Sequence, residues 1–292
     1  MLQDAALGLP AEKIHQFEGV GVLYPTDADK LTAMIDGYLA RVQPTQGSPI
    51  ALVVPHASYY LSGQVAAYGF RQLANYEYDV AVIIANDHFR PLAMPIAVWT
   101  TGAWQTPLGI VAVDTDLAQA LVNADPRIMA NEAAFANEHP IEAEVPFLQR
   151  VCPNCKIVPV IMGTNYPAEV NALADALIRL LPGRRAIIIA SSDLSHFPTY
   201  RDAQDIDSTT LSAIAGFSPK VLRTTIIQQM ARRKTLTTCA CGEGAILTAM
   251  QAARGLGANT GTVLYYANSG DLPEARKDSV TGFGAVMFWK SH

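Results

Sequence analysis

The sequence is poor in charge, since Lys, Arg, Asp and Glu make up only 16% of its 292 residues and the formal net charge is -5. Such a chain lacks the basic field that attracts nucleic acids or anionic membranes, so we expect neither as a partner. No apolar run approaches the roughly 20 residues needed to span a bilayer, and the first residues lack a signal-peptide pattern. We therefore expect a cytoplasmic protein that acts on a small molecule.

Cysteine is also scarce. The four cysteines form two close pairs, Cys152 with Cys155 and Cys239 with Cys241. They are too few and too clustered for the disulfide framework of a small secreted domain, so we expect reduced thiols. A zinc site could unite both pairs, but zinc ribbons usually place the second pair within about 20 residues of the first. The plainer interpretation of Cys152 and Cys155 is a turn before the strand KIVPVIMG.

Half of the residues are hydrophobic, which is enough for one large buried core. Without a recognisable linker or repeat, we expect a leader over residues 1–19 and a single domain over residues 20–292. Apolar runs rich in Val and Ile, such as ALVVP, VAVIIA and KIVPVIMG, alternate with segments of helical periodicity. Runs of this kind suit parallel strands covered on both faces. The expected fold is a three-layer α/β/α domain with a mixed, largely parallel central sheet.

One stretch departs from this alternation. Between residues 91 and 113, short apolar runs separated by TGAWQTPLG predict an antiparallel excursion from the main sheet. Later in the chain, TVLYYANSGD and VTGFGAVMFWK predict two further strands.

Histidines stand where the predicted strands end. His56 follows ALVVP, His88 follows VAVIIAND, and Asp193 and His196 follow AIIIASS. Parallel strands end at one edge of a sheet, where open α/β sheets bind their ligands, and histidine is the commonest metal ligand. Several histidines at one edge favour a metal site over separate structural roles. Asp193 and His196 could share one face of a short helical turn, or Asp193 could be a helix cap.

A cysteine completes this candidate site. Cys241 precedes Gly242 and Glu243 at a predicted helix start, where the helix dipole lowers the pKa of a thiol and favours the thiolate. A thiolate binds metal, but it could also act as a nucleophile with a histidine base. The histidines elsewhere favour the metal. His139 and Glu142, three residues apart on a predicted helix, could support the ligands or exchange a proton with substrate.

Taken together, the motifs of this chain resemble those of the Memo family, also called AmmeMemoRadiSam system protein B. The strings concerned are PHASYYLSG, TPLG, EHPIEAEVPFLQ, SSDLSH, CGEG, SGD and VTGFGAV, and the resemblance begins near GVGVLYP. The resemblance depends on the order and spacing of these strings, because no single string is decisive. The resemblance implies a fold related to the class III extradiol dioxygenases, non-haem iron enzymes that cleave catechol-type rings with molecular oxygen.

The resemblance also implies roles for particular residues. The family's metal positions fall on His56, His88 and Cys241, and the same cavity is lined by His139, Asp193 and His196. The chain departs from the family in having serine after PHA and ANDH in place of a glycine-led turn. Class III enzymes bind iron through two histidines and a carboxylate, whereas here a softer thiolate would replace the carboxylate and favour copper or zinc. A shared fold therefore need not imply ring cleavage.

We expect a metal-dependent, dioxygenase-like oxidoreductase, with iron(II) as the first candidate metal and copper or zinc as alternatives. It would use molecular oxygen on a small phenolic or enediol-type substrate, with His139 or His196 moving a proton and Asp193 orienting a histidine. A zinc-dependent hydrolase with Glu142 or Asp193 as base is an alternative. Another is a non-catalytic module that binds a metal, a peptide or a small ligand in a pocket ringed by Tyr59, Tyr60 and Trp104.

Overall fold

Helices and strands alternate along most of the chain in the computed structural model, which describes residues 14–16, 21–89, 95–233 and 235–291. The strands are β1 (Ile14–Gln16), β2 (Pro49–Val54), β3 (Val80–Asn86), β4 (Ile96–Val98), β5 (Ala103–Thr106), β6 (Gly109–Ala112), β7 (Ile128–Ala130), β8 (Lys156–Met162), β9 (Ala186–Ser191), β10 (Thr260–Asn268) and β11 (Gly282–Trp289). The helices are α1 (Ala28–Leu39), α2 (Tyr59–Phe70), α3 (Thr115–Ala124), α4 (Pro140–Val151), α5 (Pro167–Leu180), α6 (Tyr200–Ala215), α7 (Pro219–Arg232) and α8 (Glu243–Gly255).

The main sheet has the strand order β10-β11-β2-β9-β3-β8-β4-β7. Its four inner strands β2, β9, β3 and β8 run parallel, and antiparallel pairing occurs between β10 and β11, β11 and β2, and β4 and β8. Residues 51–54 and 81–85 of the inner strands are fully buried. Strands buried on both faces are continuous apolar runs, which is why ALVVP and VAVIIA show no alternation. The prediction of a mixed, largely parallel sheet is confirmed.

Helices cover both faces of this sheet. Helices α1, α2 and α4 lie on one face, and α3, α5, α6, α7 and α8 lie on the other. Successive residues of β11 face the two helical layers in turn. Phe283 and Ala285 cluster with Val65 of α2, whereas Gly284 lies against Leu211 of α6. The three-layer α/β/α architecture predicted from the alternation is therefore confirmed. None of the described helices is both long enough and apolar enough to cross a membrane.

The order of the inner strands in the sheet differs from their order in the sequence. Strands β2 and β3 follow one another in the sequence but do not pair, because β9 lies between them, with Ile188 opposite both Ala51 and Val82. Strand β9 is an apolar run whose residues 187–191 are fully buried, and a central position removes both of its faces from water. The carboxyl ends of all three strands still meet at one edge. The residues that follow them, including His56 and His88, are thereby brought together.

A second, three-stranded sheet has the order β1-β5-β6. The hairpin of β5 and β6 is antiparallel, which confirms the predicted excursion. Strand β1, from within the predicted leader, pairs in parallel with β5, so this part of the leader packs against the rest of the chain. Trp104 of β5 is buried there against His15 and Trp99.

Cys152 and Cys155 form a disulfide, with their Cα atoms 5.4 Å apart. The prediction of four reduced thiols was wrong for this pair, because the predicted turn between α4 and β8 brings the two side chains together. Cys239 and Cys241 are free. The disulfide precedes β8, and both of its sulfur atoms lie near the backbone oxygen of Tyr78, just before β3. It therefore lies at the amino ends of the parallel strands, across the sheet from the histidines, and forms no four-cysteine zinc site.

Candidate metal centre

His56 lies two residues beyond β2 and is 1% exposed. Its Nδ1 is 2.9 Å from Ser191 Oγ, and this hydroxyl donates a hydrogen bond to Glu144 Oε1 at 2.6 Å. Because the serine hydrogen is directed to Glu144, its oxygen accepts the hydrogen bond from Nδ1 of the imidazole. The lone pair of His56 then lies on Nε2, which is the nitrogen available to a metal.

His88 follows β3 and is held by one carboxylate. Its Nδ1 lies 2.9 Å from Glu138 Oε2, and its backbone N–H donates to Glu138 Oε1. The Glu138 side chain is only 3% exposed, so this contact is sheltered from water. An imidazole that donates Nδ1–H to a carboxylate is the usual partner arrangement of a metal-binding histidine, and it leaves Nε2 as the lone-pair atom.

His139 directly precedes α4 and completes a cluster of three imidazoles. Its ring stacks on that of His88 with the centroids 5.0 Å apart, and it lies edge-on to His56 at 5.5 Å. One potential ligand nitrogen from each of the three rings lies within 4.8 Å of the others. The helix start explains the position, because Pro140 opens α4 and leaves His139 at the sheet edge.

Cys241 faces the cluster from the other side of the sheet. Its Sγ lies 3.4 Å from His56 Nε2, the atom that the hydrogen bonds leave as an acceptor. The backbone N–H of Cys241 donates to the backbone oxygen of Asp193 at 3.2 Å, which ties the CGEG segment to the end of β9. Backbone contacts therefore hold the thiol in place without the help of a bound ion.

The glycine after this cysteine is required by close packing. A Cβ atom at Gly242 would lie 2.5 Å from the backbone oxygen of Ser191 and 2.8 Å from Cβ of Ser192. Gly242 N–H also donates to Ser192 Oγ at 2.9 Å. Only a residue without a side chain lets the segment approach β9 this closely, and the approach brings Cys241 to His56.

Burial shapes the ionisation of these groups. It lowers the pKa of His139 to about 4, and it holds the pKa of His56 well below the ordinary histidine value, with the neighbouring imidazoles acting in the same direction. Burial, with a smaller contribution from Asp193, raises the pKa of the Cys241 thiol. The helix dipole was expected to lower this pKa, but Cys241 lies before the first residue of α8 and burial outweighs the dipole. A bound cation would reverse the effect, since a coordinating thiol loses its proton.

The donor set fits a transition metal. Two donors on one tetrahedral ion lie about 3.3 to 3.6 Å apart, given bonds of about 2.0 Å to nitrogen and about 2.3 Å to sulfur. The 3.4 Å between Cys241 Sγ and His56 Nε2 meets this requirement, and the imidazole nitrogens, at up to 4.8 Å, would have to move inward. Imidazole nitrogens and a thiol suit iron, copper or zinc rather than magnesium or calcium.

Asp193 lies at the site, but it does not orient a histidine ring. Its Oδ1 accepts hydrogen bonds from the backbone N–H groups of His56 at 3.0 Å and Ala57 at 3.3 Å. It therefore holds the turn that carries His56, and the expectation of a bond to the imidazole was wrong. Burial raises the pKa of Asp193 to about 7, although these backbone donors act in the opposite direction.

His196 lies five residues beyond β9, in an extended segment. Its Nδ1 donates to the backbone oxygen of Leu194 at 2.9 Å, so its Nε2 carries the lone pair. The predicted helical turn over Asp193 and His196 was wrong, because Leu194 N–H donates to the oxygen of Gly282 and His196 pairs with Thr281. Pairing with β11 and the residues just before it keeps this segment extended. A charge on His196 would lower the pKa of His56.

Asp207 of α6 supports the segment that carries His196. It is fully buried, its Oδ1 accepts from Ser195 N–H at 3.0 Å, and its Oδ2 accepts from the hydroxyls of Ser195 and Tyr266. Burial raises the pKa of Asp207 to about 6, although these donors favour its charged form. The carboxyl group thus joins α6 and β10 to the site without contacting the imidazoles.

Sequence reasoning missed the groups that hold the ligands. Glu138, Glu144 and Ser191 were not singled out, although each contacts a candidate ligand or its partner. One signal was present in the sequence: two glutamates interrupt the largely apolar run PIEAEVPFL. The structure buries residues 140–148 throughout, and a buried carboxylate needs a polar partner. Glu142, which was singled out, accepts a hydrogen bond from Tyr24 OH at 3.2 Å.

The aromatic residues do not ring a common pocket. Tyr59 is buried and donates to the backbone oxygen of Ala143, Tyr60 is 56% exposed, and Trp104 lies in the small sheet. The observation that motivated a peptide-binding or ligand-binding module is therefore absent from the described residues.

Comparison with known proteins gives a consistent result. A family profile described as Memo-like protein matches residues 17–287. A MEMO1 family protein of Methanobrevibacter smithii is 32% identical over 92% of this chain and 97% of its own length, and one of Thermotoga petrophila is 31% identical over the same shares. The crystal structure of the uncharacterized protein JW3007 from Escherichia coli K12 has a TM-score of 0.53 at 13% identity, covering 81% of this chain and 98% of that one. This last similarity concerns the fold alone.

Proposed function

Since this chain belongs to the Memo-like protein family, as its motifs indicated, we propose that it is a metal-dependent, dioxygenase-like oxidoreductase. His56, His88 and Cys241 would hold the metal, with iron(II) as the first candidate and copper or zinc as alternatives. The observation that supports this proposal is the convergence of donors: three imidazoles within 4.8 Å, and a thiol 3.4 Å from the free nitrogen of one of them.

The substrate would be a small phenolic or enediol-type molecule, with molecular oxygen as co-substrate and the cytoplasm as the expected location. Iron(II) held by these residues would supply Lewis acidity and one-electron chemistry, with open positions for substrate and oxygen. His196 Nε2, whose lone pair is directed away from its hydrogen bond to Leu194, would accept the proton of a substrate hydroxyl. His139, whose pKa of about 4 keeps it neutral, would serve as a second base or as a further ligand.

Three groups of the chain would keep the ligands in place during this chemistry. Glu138 holds His88, the Ser191–Glu144 pair holds His56, and Asp193 holds the backbone turn of His56. Removing such partners typically costs 10- to 100-fold in metal affinity or activity.

The test begins with metal binding. Protein purified anaerobically and supplied with iron(II) should bind about one ion per chain, as measured by elemental analysis after desalting. His56→Ala and Cys241→Ser should each weaken binding by at least about tenfold. Cys239→Ser is the matched control, because Cys239 is a buried free cysteine near Ile226 and outside the cluster. Equal iron binding by all of these proteins would contradict the proposal.

Oxygen use is the second part of the test. The iron-loaded protein should consume oxygen with a catechol or an enediol, and His196→Ala should lower the rate more than the metal content. A zinc-dependent hydrolase is the second candidate, and the thiol donor favours it because thiolates select zinc and copper(I) over iron(II). Hydrolysis that requires zinc and is indifferent to oxygen would decide for the hydrolase.

A further inference from the structure

The disulfide between Cys152 and Cys155 lies apart from the metal centre, and it encloses only Pro153 and Asn154. A disulfide stabilises a fold chiefly by closing a loop, and this contribution falls as the loop becomes shorter. The flanking elements are held by other contacts, because residues 140–148 of α4 are buried and β8 pairs with β3 along its whole length. Stability therefore gives this bond only a minor role.

A cavity lies against each cysteine of the pair. The cavity beside Cys152 has a volume of about 230 Å³, and the cavity beside Cys155 has a volume of about 440 Å³. The turn residues Pro153 and Asn154 form part of both walls. Thiol–disulfide exchange requires a thiolate to reach one of the two sulfur atoms. The two cavities give a small molecule access to the pair, although both cysteines are largely buried.

The cavity beside Cys155 suits the approach of an anionic thiolate. It is lined by the four residues of β6, and Lys156 is the only charged residue of its described wall. The positive charge of Lys156 attracts a thiolate, although water and salt weaken the attraction because this lysine is exposed.

The cavity beside Cys152 is less favourable to an anion. Its wall includes the carboxylates of Glu77 and Asp79 as well as Arg185, which is bonded to both of them. Cys152 also lies at the carboxyl end of α4, where the helix dipole disfavours negative charge. An attacking thiolate is therefore directed to Cys155 rather than to Cys152.

The reduced pair would have a hydrogen-bond acceptor within reach. The backbone oxygen of Tyr78 lies 3.3 Å from Cys152 Sγ and 3.2 Å from Cys155 Sγ. Tyr78 is itself held in place, because its hydroxyl donates to the backbone oxygen of Pro49 at 2.8 Å. A thiol can donate a hydrogen bond to such an oxygen, whereas a disulfide sulfur has no hydrogen to donate. Reduction therefore leaves the buried thiols with a partner that is already positioned.

We propose that Cys152 and Cys155 are a redox-active pair, which exchanges reversibly with a small dithiol that enters through the cavity beside Cys155. In the cytoplasm, the location expected above, the disulfides that do occur are usually transient and serve catalysis or redox sensing. Two cysteines separated by two residues are also the motif of thiol–disulfide oxidoreductases. The pair is a second site of this chain, and it acts independently of the metal centre at the opposite edge of the sheet.

The exchange takes place in two steps. One thiolate of the dithiol attacks Cys155 Sγ and forms a mixed disulfide, while Cys152 Sγ leaves and takes up a proton. The second thiolate then attacks the dithiol sulfur that is bound to Cys155, which closes the dithiol into a cyclic disulfide and releases Cys155 Sγ to take up a proton. Two electrons and two protons thus pass from the dithiol to the cysteine pair, and the reverse steps restore the original bond.

The rate of reduction in the folded protein tests this proposal. Metal-free protein, first oxidised with oxidised glutathione, is treated with dithiothreitol with and without urea, and the thiols are trapped with N-ethylmaleimide and counted by mass spectrometry. The folded pair should be reduced at a rate within about tenfold of the rate in urea, because the cavities admit the reductant. It should then reform its bond with oxidised glutathione. The double variant Cys152→Ser/Cys155→Ser is the control, because it keeps only the background of Cys239 and Cys241.

Two matched single variants test the route of entry. Cys152→Ser leaves Cys155 as a free thiol, and Cys155→Ser leaves Cys152. Cys155 should form a mixed disulfide with oxidised glutathione at least about threefold faster than Cys152, because its cavity is larger and carries the charge of Lys156.

Folded-state reduction more than about tenfold slower than in urea would overturn the inference, because the bond would then be a purely structural one. A pair that could not be reoxidised in the folded protein would overturn it as well. Reaction of Cys152 as fast as that of Cys155, or faster, would overturn the assigned route. Because the protein is metal-free throughout, none of these results bears on the proposed function, and a failure of metal binding would leave the redox pair intact.

Discussion

Gly242→Ala should damage the metal centre without altering any candidate ligand. The added Cβ atom would lie 2.5 Å from the backbone oxygen of Ser191, whereas real contacts of this kind begin at 3.0 Å and are ordinary from 3.4 Å. The segment must therefore move away from β9 by about 0.5 to 0.9 Å, which displaces Cys241 from His56. Overpacking of this kind costs about 1–3 kcal/mol of stability, and loss of ligand support costs about 10- to 100-fold in metal affinity.

The assay is a titration with cobalt(II), whose near-ultraviolet charge-transfer absorption reports a bound thiolate. Wild-type protein should show this absorption, and Gly242→Ala should weaken it together with the affinity. Gly37→Ala is the matched control, because a Cβ atom there meets nothing within 4 Å and the residue lies inside α1. That change should raise the free energy of unfolding by up to about 1 kcal/mol. Wild-type affinity and absorption in Gly242→Ala would refute the account of how Cys241 is positioned.

Three further predictions concern residues around the site and across the sheet. Glu138→Gln should weaken metal binding by about 10- to 100-fold with little change in stability, because His88 loses its carboxylate partner while the shape of the site is kept; competition with a chelator measures it. Asp207 has its pKa raised by burial from 3.8 to about 6, so its stabilising contribution is complete below about pH 4 and is lost as the pH rises through 6. Between about pH 5 and about pH 7.5, the free energy of unfolding of the wild type, measured with urea, should therefore fall by on the order of 1.5 kcal/mol relative to that of Asp207→Asn. A difference between the two proteins that stays constant with pH would contradict this. Replacing Cys152 and Cys155 by serine should lower the free energy of unfolding by no more than about 2 kcal/mol, since the closed loop is short, and should leave metal affinity unchanged because the pair lies at the opposite edge of the sheet.

Local sequence patterns predict most of the helices and strands. Helical periodicity predicts a helix over residues 168–181, and α5 spans Pro167–Leu180. The run KIVPVIMG predicts a strand, and β8 spans Lys156–Met162. Both patterns depend on neighbours in the sequence, so one chain suffices to see them.

The order of the strands in the sheet could not be predicted from local sequence patterns, because it depends on contacts between distant parts of the chain. The position of β9 between β2 and β3 follows from which apolar surfaces meet, and nothing in ALVVP or VAVIIA specifies it. The same limit applies to the supports of the ligands, because Glu138 contacts His88, and Ser191 contacts His56, across 50 and 135 residues of sequence. Strand ends could be located from the sequence, but the groups that orient their histidines could not.

Two properties of the cysteines depended on the three-dimensional surroundings. The raised pKa of Cys241 results from burial among β9 and the cluster, which the local signal of a helix start does not contain. The disulfide results from the conformation of the turn after α4, whereas the sequence shows only a CPNC string that is equally compatible with two thiols. The roles of the ligand candidates remain predictions, with His139 now beside His56 and His88.

The central claim is that a thiolate and imidazoles bind one metal ion at this sheet edge. X-ray absorption at the zinc edge of the zinc-loaded protein tests it most directly, because sulfur and nitrogen neighbours scatter differently. The account predicts nitrogen ligands at about 2.0 Å and one sulfur at about 2.3 Å, with the sulfur lost in Cys241→Ser and kept in Cys239→Ser. A wild-type spectrum with only nitrogen and oxygen neighbours would contradict the account.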